Sequence, residues 1–148
     1  MEIDFAPAGP SDADLLVPLM RDFYAHERIE FDEATARRAL GELLGDAQHG
    51  RIYLIREGAE VAGYLVLTFG FSLEFGGRDA FVDELFIREG WRGRGIGRRA
   101  LEVAARVCRT AGVRALLLEV DHGNTTAQAL YHKAGFRDRG NHLLTKWV

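Results

Sequence analysis

Cysteine is nearly absent from this 148-residue chain, in which Cys108 is the only one. A single cysteine can form neither an intrachain disulfide nor a cysteine cluster for zinc, and the histidines show no metal-ligand spacing. Long apolar runs are also lacking, and the N-terminus has no basic segment followed by an apolar one. We therefore expect a cytoplasmic protein that holds no metal and does not interact with membranes.

Length and composition predict one globular domain that spans residues 1–148. The hydrophobic fraction of 47% and the charged fraction of 28% are typical of a soluble protein with a substantial core. The net charge of −3 argues against nucleic acid as the main partner. Positive charge is instead concentrated in one segment, which is the most informative part of the chain.

That segment runs from Phe81 to Arg99 and reads FVDELFIREGWRGRGIGRR. It predicts an apolar strand, a short loop and a helix that begins among arginines and glycines. Helix N-termini normally collect acidic residues, because the macrodipole places partial positive charge there. Arginines at this position, with glycines that leave the backbone N–H groups accessible, indicate a site for an anion such as a phosphate. The residues concerned are Arg92, Gly93, Arg94, Gly95, Ile96, Gly97, Arg98 and Arg99.

Three kinds of phosphate site compete for this segment. A P-loop requires a Lys-Ser or Lys-Thr pair after its glycines, and the chain contains none. A dinucleotide fold requires G-x-G-x-x-G directly after its first strand, with an acid at the end of the next strand. Glu119 would suit that acid, but the glycines here are spaced G-x-G-x-G and follow a charged loop. The third pattern, R-x-x-G-x-G, is the signature of coenzyme A binding in acetyltransferases, and Arg92–Gly97 matches it.

With that motif and the downstream run NTTAQALYHKAGF (124–136), nearly the whole chain resembles the GNAT family of N-acetyltransferases. The adjacent acids Asp83 and Glu84 make it most similar to the small polyamine and histone-type members. The resemblance implies acetyl-CoA as cofactor. It also implies that the strand Leu85–Phe86–Ile87 pairs with the pantetheine arm, and that Asn124, Tyr131 and Lys133 contact the cofactor together with residues 92–98.

The periodicity of the chain predicts a mixed α/β sheet with helices on its faces, antiparallel at first, as in the GNAT fold. The predicted order is β-α-α-β-β-β-α-β-α-β-β. The elements are a strand at 2–6, helices at 11–25 and 32–44, a hairpin at 51–56 and 61–69, a strand at 80–87, a helix at 95–111, a strand at 113–120 buried on both faces, a helix at 124–133, and a final hairpin at 136–148 that turns at Gly140-Asn141. Ser11 is the predicted N-cap of the first helix, and Cys108 is predicted to lie in the core.

Asp83 and Glu84 are the leading candidates for the catalytic base. Carboxylates inside an apolar strand are costly unless they are paired or functional. A primary amine with a pKa near ~10.4 must lose a proton before it can attack a thioester. Because adjacent strand residues point to opposite faces, we expect one of the two acids to reach the acceptor. Either could instead be a paired structural acid, and Glu74 in the preceding loop is a third, weaker candidate.

Tyr131 is the candidate acid that protonates the leaving thiolate, because it occupies the position of the family's catalytic tyrosine. Without the resemblance, it would be explained as a packed aromatic on a short helix. The end of the first helix would border the acceptor, which makes Phe23, Tyr24 and Glu27 candidate specificity residues together with Glu74 and the acid pair.

The predicted function is direct transfer of an acetyl group from acetyl-CoA to a small cationic, polyamine-like amine, without a covalent enzyme intermediate. Alternatives are acetylation of peptide or protein amines, a non-catalytic acyl-CoA sensor and, more distantly, a dinucleotide-binding oxidoreductase. Homodimers are common in the family, so a homodimer is a further expectation.

Overall fold

A computed structural model describes residues 2–148 and contains one five-stranded sheet in the order β1-β2-β3-β4-β5. The strands are β1 (Ile3–Pro7), β2 (Gly50–Glu57), β3 (Glu60–Ser72), β4 (Gly77–Ile87) and β5 (Ala115–Leu117). The helices are α1 (Ala13–His26), α2 (Glu33–Leu44), α3 (Ile96–Thr110) and α4 (Thr125–Lys133), with short 3-10 turns at Pro10–Asp12 and Glu89–Trp91. β1 to β4 pair antiparallel and β5 joins β4 in parallel, as the sequence predicted for a mixed sheet.

The sheet divides the core into two layers because successive strand residues alternate between its faces. On one face α1 and α2 cover a cluster that includes Leu54, Tyr64 and Phe86. On the other face α3 covers Ile55 and Leu65 through its buried residues, Cys108 among them. The predicted core position of Cys108 is confirmed, with 4% of its surface exposed.

The helix ends follow ordinary capping chemistry. Asp32 accepts the Thr35 N–H at 3.0 Å at the start of α2, and Asn124 accepts the Ala127 N–H at 3.1 Å at the start of α4. The prediction that Ser11 is the N-cap of α1 was wrong by one residue, since the N-cap is Asp12. Asp12 uses its carboxylate to accept the Gly9 N–H at 2.8 Å, which closes the 3-10 turn before α1.

β5 is much shorter than the predicted strand at 113–120. It pairs with β4 only over Asp79–Phe81, and its residues are half-buried rather than buried on both faces. The apolar run from Val113 to Val120 indicated a central strand, but the structure gives it one neighbouring strand for three residues. An edge position therefore explains why its second half is not held in a ladder.

The predicted C-terminal hairpin at 136–148 was wrong. Residues 136–148 adopt no regular strand, and Leu144 and Trp147 are 91% and 93% exposed. A two-stranded hairpin is marginal unless a sheet extends it, and the short β5 offers no adjacent ladder to extend. The segment is fixed near its start instead, where Arg139 forms an ion pair with Glu74 at 2.6 Å and lies over the Phe75 ring.

Of the helices within residues 2–148, none combines the length and the apolar character needed to cross a bilayer. In the same part of the chain, no group of three or more His, Cys, Asp or Glu side chains is arranged to hold a metal ion.

Two glycines of this fold give opposite predictions for the same substitution. Gly63 lies in β3, where an added Cβ would collide with the backbone carbonyl of Phe86, whereas Gly41 lies in α2 with open space around it. We expect Gly63→Ala to lower the free energy of unfolding by about 1–3 kcal/mol and Gly41→Ala to raise it by about 0.5–1 kcal/mol. Chemical denaturation measures both, and an unchanged Gly63→Ala variant would contradict the β3–β4 register.

Candidate active site

A β-bulge in β4 places both acids on the same side of the sheet. The β3–β4 ladder pairs Val66 with Glu84 and Leu67 with Val82, so that Asp83 is an extra residue without a partner in β3. A bulge interrupts the two-residue alternation of side chains. As a result Asp83 and Glu84 line the same cavity, between the sheet and helices α1 and α2. The strict alternation expected from the sequence therefore does not hold here.

The Glu84 carboxylate accepts two hydrogen bonds from tyrosines. The Tyr24 hydroxyl donates to Oε2 at 2.5 Å, and the Tyr64 hydroxyl donates to Oε1 at 2.6 Å. Tyr24 comes from α1 and Tyr64 from β3, so the carboxylate connects the helix layer with the sheet. Two donors compensate in part for the removal of the carboxylate from water.

Burial still dominates the electrostatics of the acids. Desolvation raises the pKa of Glu84 above its ordinary value, against the lowering effect of the two tyrosine hydrogen bonds, and the nearby Asp83 raises it further. Desolvation also raises the pKa of Asp83. Burial and the Glu84 carboxylate raise the pKa values of Tyr24 and Tyr64, which keeps both phenols protonated as donors. A carboxylate with a raised pKa is better matched to accept a proton near neutral pH.

Residues at the C-terminal end of α1 act on both Glu84 and Tyr131. Tyr24 bonds to Glu84, and Glu27, three residues further on, acts electrostatically on Tyr131. Burial, followed by the Glu27 charge, raises the pKa of the half-buried Tyr131. α4 also approaches the first turn of α3, since a Cβ on Gly97 would lie 3.4 Å from Leu130 Cδ2. The C-terminal end of α1 thus acts on both the predicted base Glu84 and the predicted acid Tyr131, and α4 contacts the glycine entry into α3.

The second half of β4 has an open edge. β5 leaves β4 after Phe81, and within residues 2–148 no other strand pairs along that side of Leu85–Ile87. An unpaired strand edge presents N–H and C=O groups that can bind an extended ligand. In the loop that follows β4, Gly93 and Gly95 adopt a positive φ of 77°. Gly95 is the N-cap of α3 and has no side chain to cover the backbone N–H groups of the first turn. The first turn of α3 carries Arg98 and Arg99 instead of acids, which suits an anion at the helix N-terminus.

The arginines of the loop have different contacts. Arg92 donates from Nε to the Ile87 carbonyl at 2.8 Å, and Arg94 lies 3.7 Å from the Glu57 carboxylate. Arg98, 3.7 Å from Glu102, lines a groove of ≈ 240 Å³ between α3 and α4 together with Lys133 and Arg109. The charged residues of this groove are therefore three cations, Arg98, Arg109 and Lys133, and one acid, Glu102.

The remaining predicted residues have structural partners. Phe23 packs against Tyr64 and Phe86 within the α1 layer. Asn124 caps α4, and Glu74 is paired with Arg139 at the tip of the β3–β4 hairpin. Tyr64 and Arg109 were not singled out from the sequence. The position of Tyr64 beside Glu84 depends on the bulged register, which residue patterns do not reveal.

Comparisons with known proteins agree with this fold. A model described as the Acetyltransferase (GNAT) family matches residues 17–136. The crystal structure of integron cassette protein HFX_CASS3, from the mobile metagenome of Cole Harbour Salt Marsh, is 41% identical with a TM-score of 0.87, over 97% of this chain and 90% of that one. The uncharacterized N-acetyltransferase YhfO of Bacillus subtilis (strain 168) is 29% identical over 132 residues, 88% of this chain and 87% of that protein.

The IAA acetyltransferase of Azospirillum brasilense is 48% identical over 59 residues, which are 40% of this chain and 39% of that protein. This chain therefore spans about two fifths of the length of that relative. Because the family model covers most of the chain, the protein belongs to the GNAT acetyltransferase family. The family resemblance and the fold class predicted from the sequence are both confirmed. The antiparallel strands before the glycine loop also exclude a Rossmann fold.

The family typically uses acetyl-CoA, and the residues present fit such a group. The open edge of Leu85–Ile87 suits an extended, amide-containing arm, which binds by strand-like hydrogen bonds. An added Cβ at Gly93 or Gly95 would meet nothing within 4 Å, so the space beside the loop is open to a pyrophosphate. The basic groove of Arg98, Arg109 and Lys133 provides charge for a further phosphate.

The two tyrosines that bond Glu84 give a prediction about its pKa. Tyr64→Phe removes one donor to a largely buried carboxylate, so we expect a loss of about 1.5–3 kcal/mol in the free energy of unfolding at neutral pH. The pKa of Glu84 should rise further because its charged form loses a hydrogen bond, and the loss of stability should shrink as pH falls below that pKa. Denaturation at several pH values and a carboxyl NMR titration measure these effects. Tyr53→Phe, in the cluster on the other face, is the control and should leave the Glu84 titration unchanged.

The loop glycines give a prediction about cofactor binding. Gly95 at the start of α3 and Gly112 after its end both adopt positive φ, 77° and 75°. Alanine at either position should cost about 1–2 kcal/mol of stability, because an L side chain strains this conformation. Only Gly95→Ala should weaken acetyl-CoA binding, by about tenfold or more, since Gly112 lies at the opposite end of α3. Calorimetric titration checks this, and equal weakening by both variants would contradict the assigned anion site.

Proposed function

We propose that this protein transfers an acetyl group from acetyl-CoA to a primary amine by direct attack in a ternary complex. The observation that carries the proposal is the position of Glu84, a largely buried carboxylate with a raised pKa, on the strand that continues into the open edge of Leu85–Ile87. Acetyl transfer requires a base beside the amine and a binding edge beside the thioester. Strand β4 offers a candidate for each.

In this proposal the backbone of Leu85–Ile87 and the loop of residues 92–98 hold acetyl-CoA. When bound, acetyl-CoA supplies a thioester carbonyl that a neutral amine can attack. A backbone N–H on the β4 edge would face the thioester oxygen, and one well-placed donor of this kind is worth roughly 3–4 kcal/mol. We also assign cofactor contacts to Asn124, the N-cap of α4, and to Lys133, which lines the groove between α3 and α4.

Glu84 accepts the proton of the incoming ammonium at its carboxylate, directly or through a water molecule. Asp83 shares the cavity wall and supplies a second negative charge that attracts the ammonium. Because a base must be unprotonated, the rate should rise with pH through the raised pKa of Glu84. Tyr24 and Tyr64 hold the carboxylate in place and act as positioning residues.

As the C–N bond forms and the C–S bond breaks, Tyr131 donates a proton from its hydroxyl to the leaving sulfur. The nitrogen loses its second proton as it becomes an amide, and this proton, passed directly or through water, restores the Tyr131 hydroxyl. Its raised pKa keeps the hydroxyl protonated throughout the neutral range, so that the donor is present at every turnover. The Glu27 carboxylate contributes to this state through its charge. A small cationic amine is the first class of acceptor in this proposal, and peptide or protein amines are the second. The expected homodimer stays a prediction.

Release of free thiol from acetyl-CoA, measured with a panel of primary amines, tests the proposal. We expect Tyr131→Phe and Glu84→Gln each to lower kcat by about 10²–10⁴-fold. Glu84→Gln should also remove the acidic limb of the pH–rate profile, whereas Tyr131→Phe should preserve it. Tyr53→Phe again serves as the matched control and should keep wild-type kinetics.

An acyl-CoA sensor would give a different result. Acetyl-CoA would then raise the melting temperature of the wild type, but no amine in the panel would release thiol. Turnover that survives both Tyr131→Phe and Glu84→Gln would instead show that other groups carry the proton transfers.

A further inference from the structure

The acids line a cavity that is otherwise apolar. It has a volume of ≈ 140 Å³ and lies between β4, α1 and α2. Taken over residues 2–148, its lining contains two charged side chains, Asp83 and Glu84, which are neighbours on β4 and lie beside the hydroxyls of Tyr24 and Tyr64. All other walls are hydrocarbon, formed by Leu16, Met20, Leu40, Leu43, Ile52 and Val66, with Ala39 completing the lining.

The cavity is open at one side and closed at the other. Asp83 and Ala39 are exposed, so the opening lies between the bulge of β4 and the outer face of α2. Leu16 and Ile52 are 0% and 2% exposed and form the closed end. Asp83 therefore lies at the opening, and Glu84 lies further in, where it contacts the fully buried Tyr64.

The size of the cavity limits what fits. An apolar cavity of about 150 Å³ holds a molecule the size of benzene, that is, roughly six carbon atoms. The cavity of ≈ 140 Å³ thus has room for a short alkyl chain or a single small ring behind the ammonium.

On the basis of the proposed acetyl transfer, we infer that the acceptor is a monoamine with a compact apolar body of about five or six carbons. Its ammonium lies at Asp83 and Glu84, and its hydrocarbon fills the space between α1 and α2. Next to the two carboxylates the ammonium gains charge-assisted hydrogen bonds, and the apolar body gains from leaving water.

This assignment replaces the polyamine-like acceptor that the adjacent acids suggested. A diamine of the same length would carry its second ammonium into walls of leucine, isoleucine and methionine, where no carboxylate of the described lining reaches it. An unpaired charge in such surroundings is strongly unfavourable. The acid pair therefore recognises one charge, since both of its members lie at the same place.

The test compares pentylamine with 1,5-diaminopentane, which have equal chain lengths and differ in one terminal ammonium. We expect kcat/KM for pentylamine to exceed that of the diamine by at least about 100-fold, after correction for the two equivalent ends of the diamine. Thermal-shift titration of the protein with each amine provides a second readout that does not require turnover. Pentylamine should raise the melting temperature, and the diamine at the same concentration should not.

A matched pair of variants on α2 tests the position of the apolar body. Ala39→Leu adds a larger apolar side chain to the rim of the cavity, and Ala34→Leu adds one to an exposed position of the same helix outside the lining. Ala39→Leu should lower kcat/KM for pentylamine and weaken its binding by roughly 3- to 10-fold, because the added carbons take up space that the apolar body of the amine needs. Ala34→Leu should leave both quantities unchanged.

The outcomes separate this inference from the proposed function. If the diamine equals or exceeds pentylamine in both kcat/KM and binding, the monoamine assignment is overturned while acetyl transfer stands. If pentylamine binds selectively, and Ala39→Leu but not Ala34→Leu weakens that binding, the monoamine site is upheld even where no thiol is released, and only the transferase proposal fails. If neither amine binds and neither is acetylated, the cavity is not an amine site.

Discussion

The site depends on how β4 uses its two backbone edges. One edge is hydrogen-bonded to β3, and the bulge at Asp83 in that ladder turns two consecutive carboxylates toward α1 and α2. The other edge is paired with β5 only as far as Phe81, which leaves Leu85–Ile87 open. A regular, fully paired strand would have sent one acid to the opposite face and offered no edge to a ligand. The acid pair and the ligand edge are therefore consequences of two irregularities in one strand.

The buried end of this arrangement is held together by the need to satisfy Glu84. A carboxylate that is removed from water requires donors, and it receives them from Tyr24 of α1 and Tyr64 of β3. The same contacts fix the last turn of α1 over the sheet, so that Glu27 lies close enough to influence Tyr131 on α4. Electrostatic requirements of the site and packing of the helix layer are in this way satisfied by the same residues.

Much of the fold could be predicted because its signals are local. The cap at Asp32, the cap at Asn124, the hairpin of β2 and β3 and the glycine entry into α3 each follow from short-range chemistry. Apart from the one-residue error at the cap of α1, the failures involve pairing between distant residues. The extent of β5 and the C-terminal hairpin depend on which neighbours a strand finds, and the bulge depends on register. For that reason the sequence identified Glu84 as a candidate base and Tyr24 as a candidate specificity residue, but not the bond between them, the second donor Tyr64 or the apolar cavity in front of Glu84.

NMR tests the central claim most directly. That claim is that the open edge of β4 and the glycine loop together hold the cofactor beside the acid pair. Backbone amide shifts of ¹⁵N-labelled protein would be followed during titration with coenzyme A. The account predicts that the largest changes fall on Leu85–Ile87 and on residues 93–98, with small changes in α2. Large changes confined to another surface, or no changes at saturating concentrations, would contradict it.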